Sequence, residues 1–201
     1  MKISLIDYGA GNLPSVERAL RRLGAETERV TSGRALAQAA AIVLPGVGHY
    51  AAIVRALDSQ GLRAALLDRI ASGAPFLGIC LGLQALYETS EEAPGLAGLA
   101  LLPGAVQALP RHVKLPHMGW NRVRPLRETR LFRGLPAGEF FYFAHSYASL
   151  DVSPAAAATC EHGAKFVAAV ERDNLFAVQF HPEKSAACGA KVLQNFLEAA
   201  R

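Results

Sequence analysis

The chain has 201 residues, of which 51% are hydrophobic and 19% are charged, and its net charge is +4. This composition supports a sizeable core and argues against extensive disorder. The mild positive excess has no aromatic stripe beside it, which argues against nucleic-acid binding, and no apolar run reaches the length of a membrane span. Three cysteines are too few for a disulfide framework, so we expect a reducing compartment and a cytoplasmic protein.

The first half of the chain alternates short apolar runs with amphipathic stretches. The N-terminal run is a strand rather than a signal peptide, because it lacks a long apolar core and a small-residue cleavage site. Pro14 fits the first turn of a helix that Gly24 ends. The alternation predicts a parallel sheet with helices on both faces. The expected strands are residues 2–7, 26–30, 41–44 and 75–79, and the expected helices are residues 14–23, 33–40, 50–58 and 62–71.

The pattern changes in the second half. Prolines and glycines recur through residues 91–125, which excludes long helices there and leaves loops and short strands. Further strands are expected at residues 140–145, 155–160, 166–170 and 175–180, before a C-terminal helix with Val192 and Phe196 on its apolar stripe. We therefore expect one domain over residues 1–201. Its predicted fold is α/β, a mostly parallel open sheet flanked by helices with an antiparallel C-terminal portion.

The segment at residues 78–82, Gly-Ile-Cys-Leu-Gly, joins a buried strand to a helix-like pattern. A nucleophile on such a turn is strained and exposed at the top of a sheet, and glycines two residues before and after it prevent clashes with neighbouring chains. The N-terminus of the following helix favours a thiolate at Cys80. The alternative is a buried structural cysteine between packing glycines, and only a partner base elsewhere in the chain argues against it.

A candidate base lies at the end of the last predicted strand. In an extended chain His181 and Glu183 point to the same side, and Pro182 would hold the backbone extended between them. Such a carboxylate can orient a histidine that takes a proton from a thiol. Taken alone, His181 could equally be a surface residue at a strand end.

The turn Pro-Gly-Val-Gly at residues 45–48 is the third piece. A glycine-rich turn at the carboxyl end of a strand can direct backbone N–H groups at a developing oxyanion, although it could also be a plain connection to a helix. In an open α/β sheet all three pieces belong to the carboxyl ends of strands, where ligands bind.

These segments together resemble the class I, triad-type, glutamine amidotransferase family over nearly the whole chain. Residues 78–84 match the nucleophile segment of the family, and residues 180–185 match its His-x-Glu segment. Within the family the chain is most similar to glutaminase subunits of imidazole glycerol phosphate synthase. The segments that carry this closer likeness are residues 7–12, 44–48, 116–121 and 145–147.

The resemblance implies hydrolysis of glutamine through a thioester on Cys80, with His181 as base and then acid and Glu183 orienting it. Backbone N–H groups of Leu81 and of the Val47 region would form the oxyanion hole, and a peptide flip in the turn would supply the second donor. No metal or cofactor is implied. The residues implied to hold glutamine are Gly48, Gln84, His145, Ser146 and Tyr147.

The resemblance also implies a partner, a (β/α)₈-barrel cyclase subunit that receives the ammonia in a heterodimer and acts in histidine biosynthesis. The chain itself has no phosphate-binding loop and no length left for a domain that binds an ammonia acceptor. We expect Trp120 to anchor the interface, although a core position is the alternative. The residues implied to face the partner are Pro116, Met118, Trp120, Asn121 and Lys184.

Three rival interpretations remain. One is the glutaminase subunit of another amidotransferase, such as pyridoxal phosphate synthase, which would share the triad but lack the segment at residues 116–121. Another is a cysteine hydrolase that acts alone. The third is a non-catalytic regulatory module on the same fold, against which the intact Cys80, His181 and Glu183 argue.

Overall fold

The computed structural model describes residues 1–201. Six helices and thirteen strands follow one another along the chain. The strands are β1 (Lys2–Ile6), β2 (Glu26–Val30), β3 (Ile42–Gly46), β4 (Phe76–Cys80), β5 (Tyr87–Ser90), β6 (Leu102–Ala108), β7 (His117–Arg122), β8 (Arg124–Pro125), β9 (Phe140–His145), β10 (Tyr147–Ala148), β11 (Ala156–His162), β12 (Ala164–Arg172) and β13 (Leu175–Val178). The helices are α1 (Leu13–Arg22), α2 (Gly33–Leu36), α3 (Tyr50–Ser59), α4 (Leu62–Ala71), α5 (Leu81–Gln84) and α6 (Ala186–Ala199), and a 3₁₀ turn covers Pro182–Lys184.

An eight-stranded sheet forms the centre of the protein, with the strand order β2-β1-β3-β4-β13-β12-β11-β8. The pairs from β2 to β13 are parallel, whereas β12, β11 and β8 continue the sheet with antiparallel pairing. The predicted mixed α/β sheet is therefore confirmed. One detail differs from a simple division into halves: β13, late in the chain, lies parallel beside β4.

Helices cover both faces of the sheet, as the alternating pattern predicts. Strands β3 and β4 are buried along their whole length, which explains why their sequences are continuous apolar runs. On one face Val16 of α1 and Phe196 of α6 belong to the core. On the other face Ile53 of α3 and Leu66 of α4 pack into a second apolar layer.

Two small sheets lie beside the central one. Strands β10, β6 and β5 form the first. Strands β7 and β9 form an antiparallel pair, in which Trp120 lies opposite Tyr142 and His117 opposite His145. We call this β7–β9 pair the ribbon. Each small sheet takes one strand, β6 or β7, from the proline- and glycine-rich residues 91–125, where short strands were expected.

One predicted helix is shorter than expected, and the helix after Cys80 is short. The alanine-rich helix predicted over residues 33–40 ends at Leu36. The Arg69 side chain donates to the carbonyl of Ala39 at 2.7 Å, and the chain then enters β3, so tertiary contacts override helix propensity here. The helix after Cys80 has a single turn, because the chain turns into β5 six residues beyond its start. No helix is long and apolar enough to cross a membrane.

Candidate active site

Cys80 lies at the junction of β4 and α5 with φ 54° and ψ −105°, a conformation that non-glycine residues rarely adopt. Two glycines make this turn possible. A Cβ on Gly82 would lie 2.0 Å from the carbonyl oxygen of Leu44, and one on Gly78 would lie 2.7 Å from that of Gly82. The predicted strand-to-helix elbow is therefore confirmed, and its strain is held by backbone packing. The expected exposure of the nucleophile is wrong, because Cys80 is buried in this packing.

The predicted base and its orienting acid are paired. Because β13 lies beside β4, the chain after β13 brings His181 to the elbow. His181 Nδ1 is 2.9 Å from Glu183 Oε1, and both side chains are buried. The expected extended backbone between them is wrong: Pro182 begins a 3₁₀ turn that folds Glu183 back onto the ring.

His181 also interacts with the nucleophile. Burial by itself lowers the pKa of His181, but hydrogen bonds to Cys80 and Glu183, together with the charges of both, raise it to about 10. The imidazole is therefore protonated next to the Cys80 sulfur. A cysteine beside a protonated histidine is the arrangement that supports a nucleophilic thiolate.

Two further side chains support the triad, and neither was assigned a role from the sequence. Asn12 Nδ2 lies 3.5 Å from Glu183 Oε1. The amide of Gln179, which is fully buried, lies with Nε2 3.5 Å from Cys80 Sγ. Gln179 precedes His181 by two residues, so the alternation of an extended strand was the available signal.

A cavity of about 220 Å³ opens beside Cys80. It brings together every residue that the resemblance implied for the oxyanion hole and for glutamine. It also includes Pro116, expected at the partner surface, and Glu92, which was not expected in the site. The lining residues are Val47, Gly48, Cys80, Leu81, Gln84, Glu92, Pro116, Ala144, His145, Ser146 and Tyr147.

The turn after β3 forms one wall of this cavity. The N–H of Val47 donates to no backbone carbonyl. Tyr8 lies beneath the turn with a buried hydroxyl that lacks a well-formed hydrogen bond, although the Val47 N–H approaches it. Burial, above all, raises the pKa of Tyr8 to about 12, so the phenol stays neutral. The Val47 N–H is therefore a hydrogen-bond donor in the turn that no backbone carbonyl accepts.

The ribbon has two chemically different faces. On the outer face Met118 and Trp120 are 65% and 53% exposed, so a core position for Trp120 is wrong. Tyr142 lies between Trp120, at 6.2 Å between ring centroids, and Lys184, whose Nζ is 5.6 Å from the Tyr142 ring. Asn121 does not belong to this outer face, because its amide bonds to His117 and to the Glu161 carbonyl.

A larger surface cavity, of about 730 Å³, contains none of the predicted site residues. Two of the three arginines that line it are paired with protein groups: Arg130 with the carboxylate of Glu171, and Arg127 with the carbonyl of Glu171. Arg127 and Arg130 therefore tie the loop after β8 to the end of β12.

Comparison with known proteins identifies the family. The family model described as glutamine amidotransferase class-I matches residues 4–200. The chain is 49% identical to the imidazole glycerol phosphate synthase subunit HisH of Moorella thermoacetica, over 99% of this chain and 95% of that protein. It is 45% identical to the HisH subunit of Methanothermobacter thermautotrophicus, over 99% of each chain.

A solved structure shows the same fold. The crystal structure of a glutamine amidotransferase superposes with a TM-score of 0.78 at 20% identity, over 98% of each chain. By its sequence over nearly its whole length, the chain belongs to the class-I glutamine amidotransferase family and, within it, to the HisH subunits of imidazole glycerol phosphate synthase.

Proposed function

We propose that the chain hydrolyses glutamine to glutamate and ammonia, as the glutaminase subunit of imidazole glycerol phosphate synthase. The ammonia passes to a (β/α)₈-barrel cyclase subunit that makes imidazole glycerol phosphate and AICAR in histidine biosynthesis. The observation that carries this proposal is the buried His181–Glu183 pair placed against Cys80 at the end of a glutamine-sized cavity. We assign residues 1–201 to a single glutamine amidotransferase domain that acts in the cytoplasm.

The reaction proceeds in two steps. The Cys80 sulfur attacks the side-chain amide carbon of glutamine, and His181 gives its proton to the leaving nitrogen, which departs as ammonia. The remaining glutamyl thioester is attacked by water, and His181 takes a proton from that water. Expulsion of the sulfur releases glutamate and restores the nucleophile. Glu183 fixes the histidine tautomer and stabilises its positive charge.

The oxyanion formed in each step needs two donors. The N–H groups of Leu81 and Val47 are assigned this role, because both residues line the cavity beside the sulfur. Since the Val47 N–H approaches Tyr8, the turn must reorient before it can serve. Gly48, with φ +97°, makes such a movement of the turn inexpensive. The turn is therefore the proposed gate on glutamine hydrolysis.

Glutamine itself is held along the wall opposite the turn. Gln84 and the His145–Ser146–Tyr147 segment are the proposed binding groups. Glu92 adds the acidic side chain of the cavity, and we assign it to the α-ammonium group of glutamine. Its Oε2 also accepts the Tyr50 N–H at 2.7 Å, which holds the carboxylate in place at the start of α3.

The partner surface is the outer face of the ribbon. Met118, Trp120 and Lys184 are proposed to contact the cyclase, with Trp120 as the anchor, because exposed tryptophan is enriched at the centres of interfaces. Pro116 lines the cavity beside Cys80, and Asn121 bonds to His117 on the inner face of the ribbon. They are proposed to transmit the contact inward rather than to form its centre.

A chloroketone analogue of glutamine tests the proposed chemistry. We expect it to alkylate Cys80 alone, as read by intact mass and peptide mapping, while glutamine protects the residue. Co-purification then tests the partner: the chain should bind the cyclase subunit of imidazole glycerol phosphate synthase and not the barrel subunit of pyridoxal phosphate synthase. Alkylation of Cys160 or Cys188 in place of Cys80, or the reverse partner choice, would overturn the assignment.

A further inference from the structure

Two buried histidines on the inner face of the ribbon are linked by a hydrogen bond, and the proposed function gives a role to His145 but none to His117. His117 Nδ1 lies 2.9 Å from His145 Nε2, and His145 Nδ1 lies 2.9 Å from the Tyr147 carbonyl oxygen. At the other end, Asn121 Nδ2 lies 3.1 Å from His117 Nε2. These hydrogen bonds therefore run from the strand that carries Trp120 to the wall of the glutamine cavity, and we call them the histidine relay.

The donor and the acceptor of each hydrogen bond in the histidine relay are set independently at its two ends. A carbonyl only accepts, so His145 carries its proton on Nδ1 and accepts at Nε2. At the far end, Asn121 Oδ1 accepts the Arg122 N–H at 2.7 Å, and its Nδ2 donates to the Glu161 carbonyl at 2.8 Å. The amide orientation is thus fixed, so His117 accepts at Nε2 and donates from Nδ1. Both ends require the same tautomers.

The surroundings keep both rings neutral. Burial, with the nearby His162, lowers the pKa of His117 to about 4, and burial lowers that of His145 to about 3. His117 is stacked between Phe143, at 4.8 Å, and His162, at 4.2 Å between ring centroids. No ring nitrogen of His117 or His145 is free to bind a metal, since each is already in a hydrogen bond.

Further hydrogen bonds lead from the Tyr147 carbonyl toward Cys80. Gln84 Nε2 donates to that same carbonyl at 2.8 Å and to Gln179 Oε1 at 3.1 Å. Gln179 in turn points its amide at Cys80. The Tyr147 carbonyl is therefore shared by the histidine pair and by the glutamine side chains that line the site.

We propose that His117 is a positioning residue for the glutamine site: its Nδ1–H holds His145, and His145 holds the Tyr147 carbonyl that places Gln84 against the substrate. The proposal rests on the proposed function, because it takes glutamine as the ligand of this cavity. It gives the imidazole of His117 a role in the strand that faces the partner. A ring that only fills space would require the shape of His117 but not its donor.

Three variants of the complex with the cyclase distinguish the loss of the Nδ1–H donor of His117 from the loss of its ring shape. His117→Phe keeps a ring between Phe143 and His162 but has no donor, whereas His117→Asn keeps an N–H near the position of Nδ1. His162→Phe is the matched control, because His162 stacks on His117 but bonds to the Lys114 carbonyl, outside the histidine relay. Glutamate release is measured against glutamine concentration for each variant.

We expect His117→Phe to raise the KM for glutamine about tenfold with a smaller change in kcat, because one donor of a buried network is lost. His117→Asn should lie within about threefold of the parent, and so should His162→Phe. An unchanged KM in His117→Phe, or equal damage in His117→Phe and His117→Asn, would overturn the proposal. If the parent complex released no glutamate, the proposed function would fail instead.

A measurement on the unmodified protein keeps the proposal testable if a variant fails to fold. Imidazole nitrogen NMR reports which ring nitrogen carries the proton. Both His117 and His145 should be neutral with the proton on Nδ1, irrespective of any glutaminase activity. A proton on Nε2 in either ring would break the histidine relay and refute the proposal.

Discussion

The elbow at Cys80 and the ribbon β7–β9 meet at the same site but are built by different means. At the elbow, backbone packs on backbone: Gly82 lies against the Leu44 carbonyl with no room for a side chain. In the ribbon, side chains define the two faces: neutral histidines bond to each other on the inner face, and Met118 and Trp120 are exposed on the outer face. The elbow is therefore closely packed, whereas the outer face of the ribbon exposes large apolar side chains to solvent.

The ribbon is nevertheless connected to His181, the proposed base. The His181 N–H donates to the Tyr142 carbonyl at 2.8 Å, and Ser185 Oγ accepts the Tyr142 N–H at 2.9 Å. Tyr142 lies directly opposite Trp120 in the ribbon. A partner seated on Trp120 thus lies one strand from the backbone that holds His181. The proposed chemistry therefore lies at the elbow, and the proposed partner surface lies on the ribbon.

The largest effect should follow from removing the nucleophile. Cys80→Ala should lower glutamate release by the complex about 10⁴-fold or more, because no other group at the elbow can form a thioester. The ribbon is untouched, so partner affinity by calorimetry should stay the same. Cys160→Ala removes another buried thiol and should retain activity. Activity retained in Cys80→Ala would place the chemistry elsewhere.

The next effect concerns the base and its acid. His181→Ala should lower kcat by about 10²–10⁴-fold, which is typical of removing a general base. Glu183→Gln should cost less, because an amide oxygen still accepts the Nδ1–H although its charge is lost. Steady-state kinetics of both variants in the complex measures the order. If Glu183→Gln were the more damaging change, the roles assigned to the pair would be reversed.

A change on the outer face of the ribbon should act on assembly alone. Trp120→Ala should weaken binding of the cyclase by about 2 kcal/mol, or about 30-fold in Kd, while Cys80 still reacts with the chloroketone. Leu126→Ala is the control, since Leu126 is 49% exposed and lies outside the ribbon. If calorimetry found the same affinity for the cyclase in both variants, Trp120 would not be the anchor of the interface.

The smallest effect should come from the inner face of the ribbon. The pKa of His117 is lowered to about 4 in the folded chain from an ordinary value of 6.5. Below pH 6.5 the unfolded chain therefore binds more protons, and stability falls as the pH decreases toward about 4. His117→Asn should lose less stability over this range, as measured by urea midpoints. Parallel pH profiles would contradict a neutral His117.

The contrast between elbow and ribbon also explains what the sequence could predict. The strand-to-helix turn at Cys80 depends on glycines two residues away, so its signal is local and was available. The α/β alternation was equally local, and so the sheet was predicted well. The Pro182 turn was missed because its proline suggested extended backbone, whereas contacts with the rest of the fold produced a 3₁₀ turn.

Long-range partners left no such signal. Asn12 reaches Glu183 across most of the chain, and His117 reaches His145 only because β7 pairs with β9. No periodicity in the sequence predicts which two strands will be neighbours. Lys184, Trp120 and Pro116 were assigned to the partner surface through family resemblance, and Pro116 also lines the cavity.

We infer that a partner bound on the ribbon controls the reaction at the elbow. This control can be measured as the rate of glutamate release from the chain alone and from its complex with the cyclase and the nucleotide that the cyclase binds. We expect a low rate for the chain alone and an increase of about 10²–10³-fold in the complex, because one oxyanion donor typically contributes that factor. Equal rates in the two samples would show that the partner does not control the reaction.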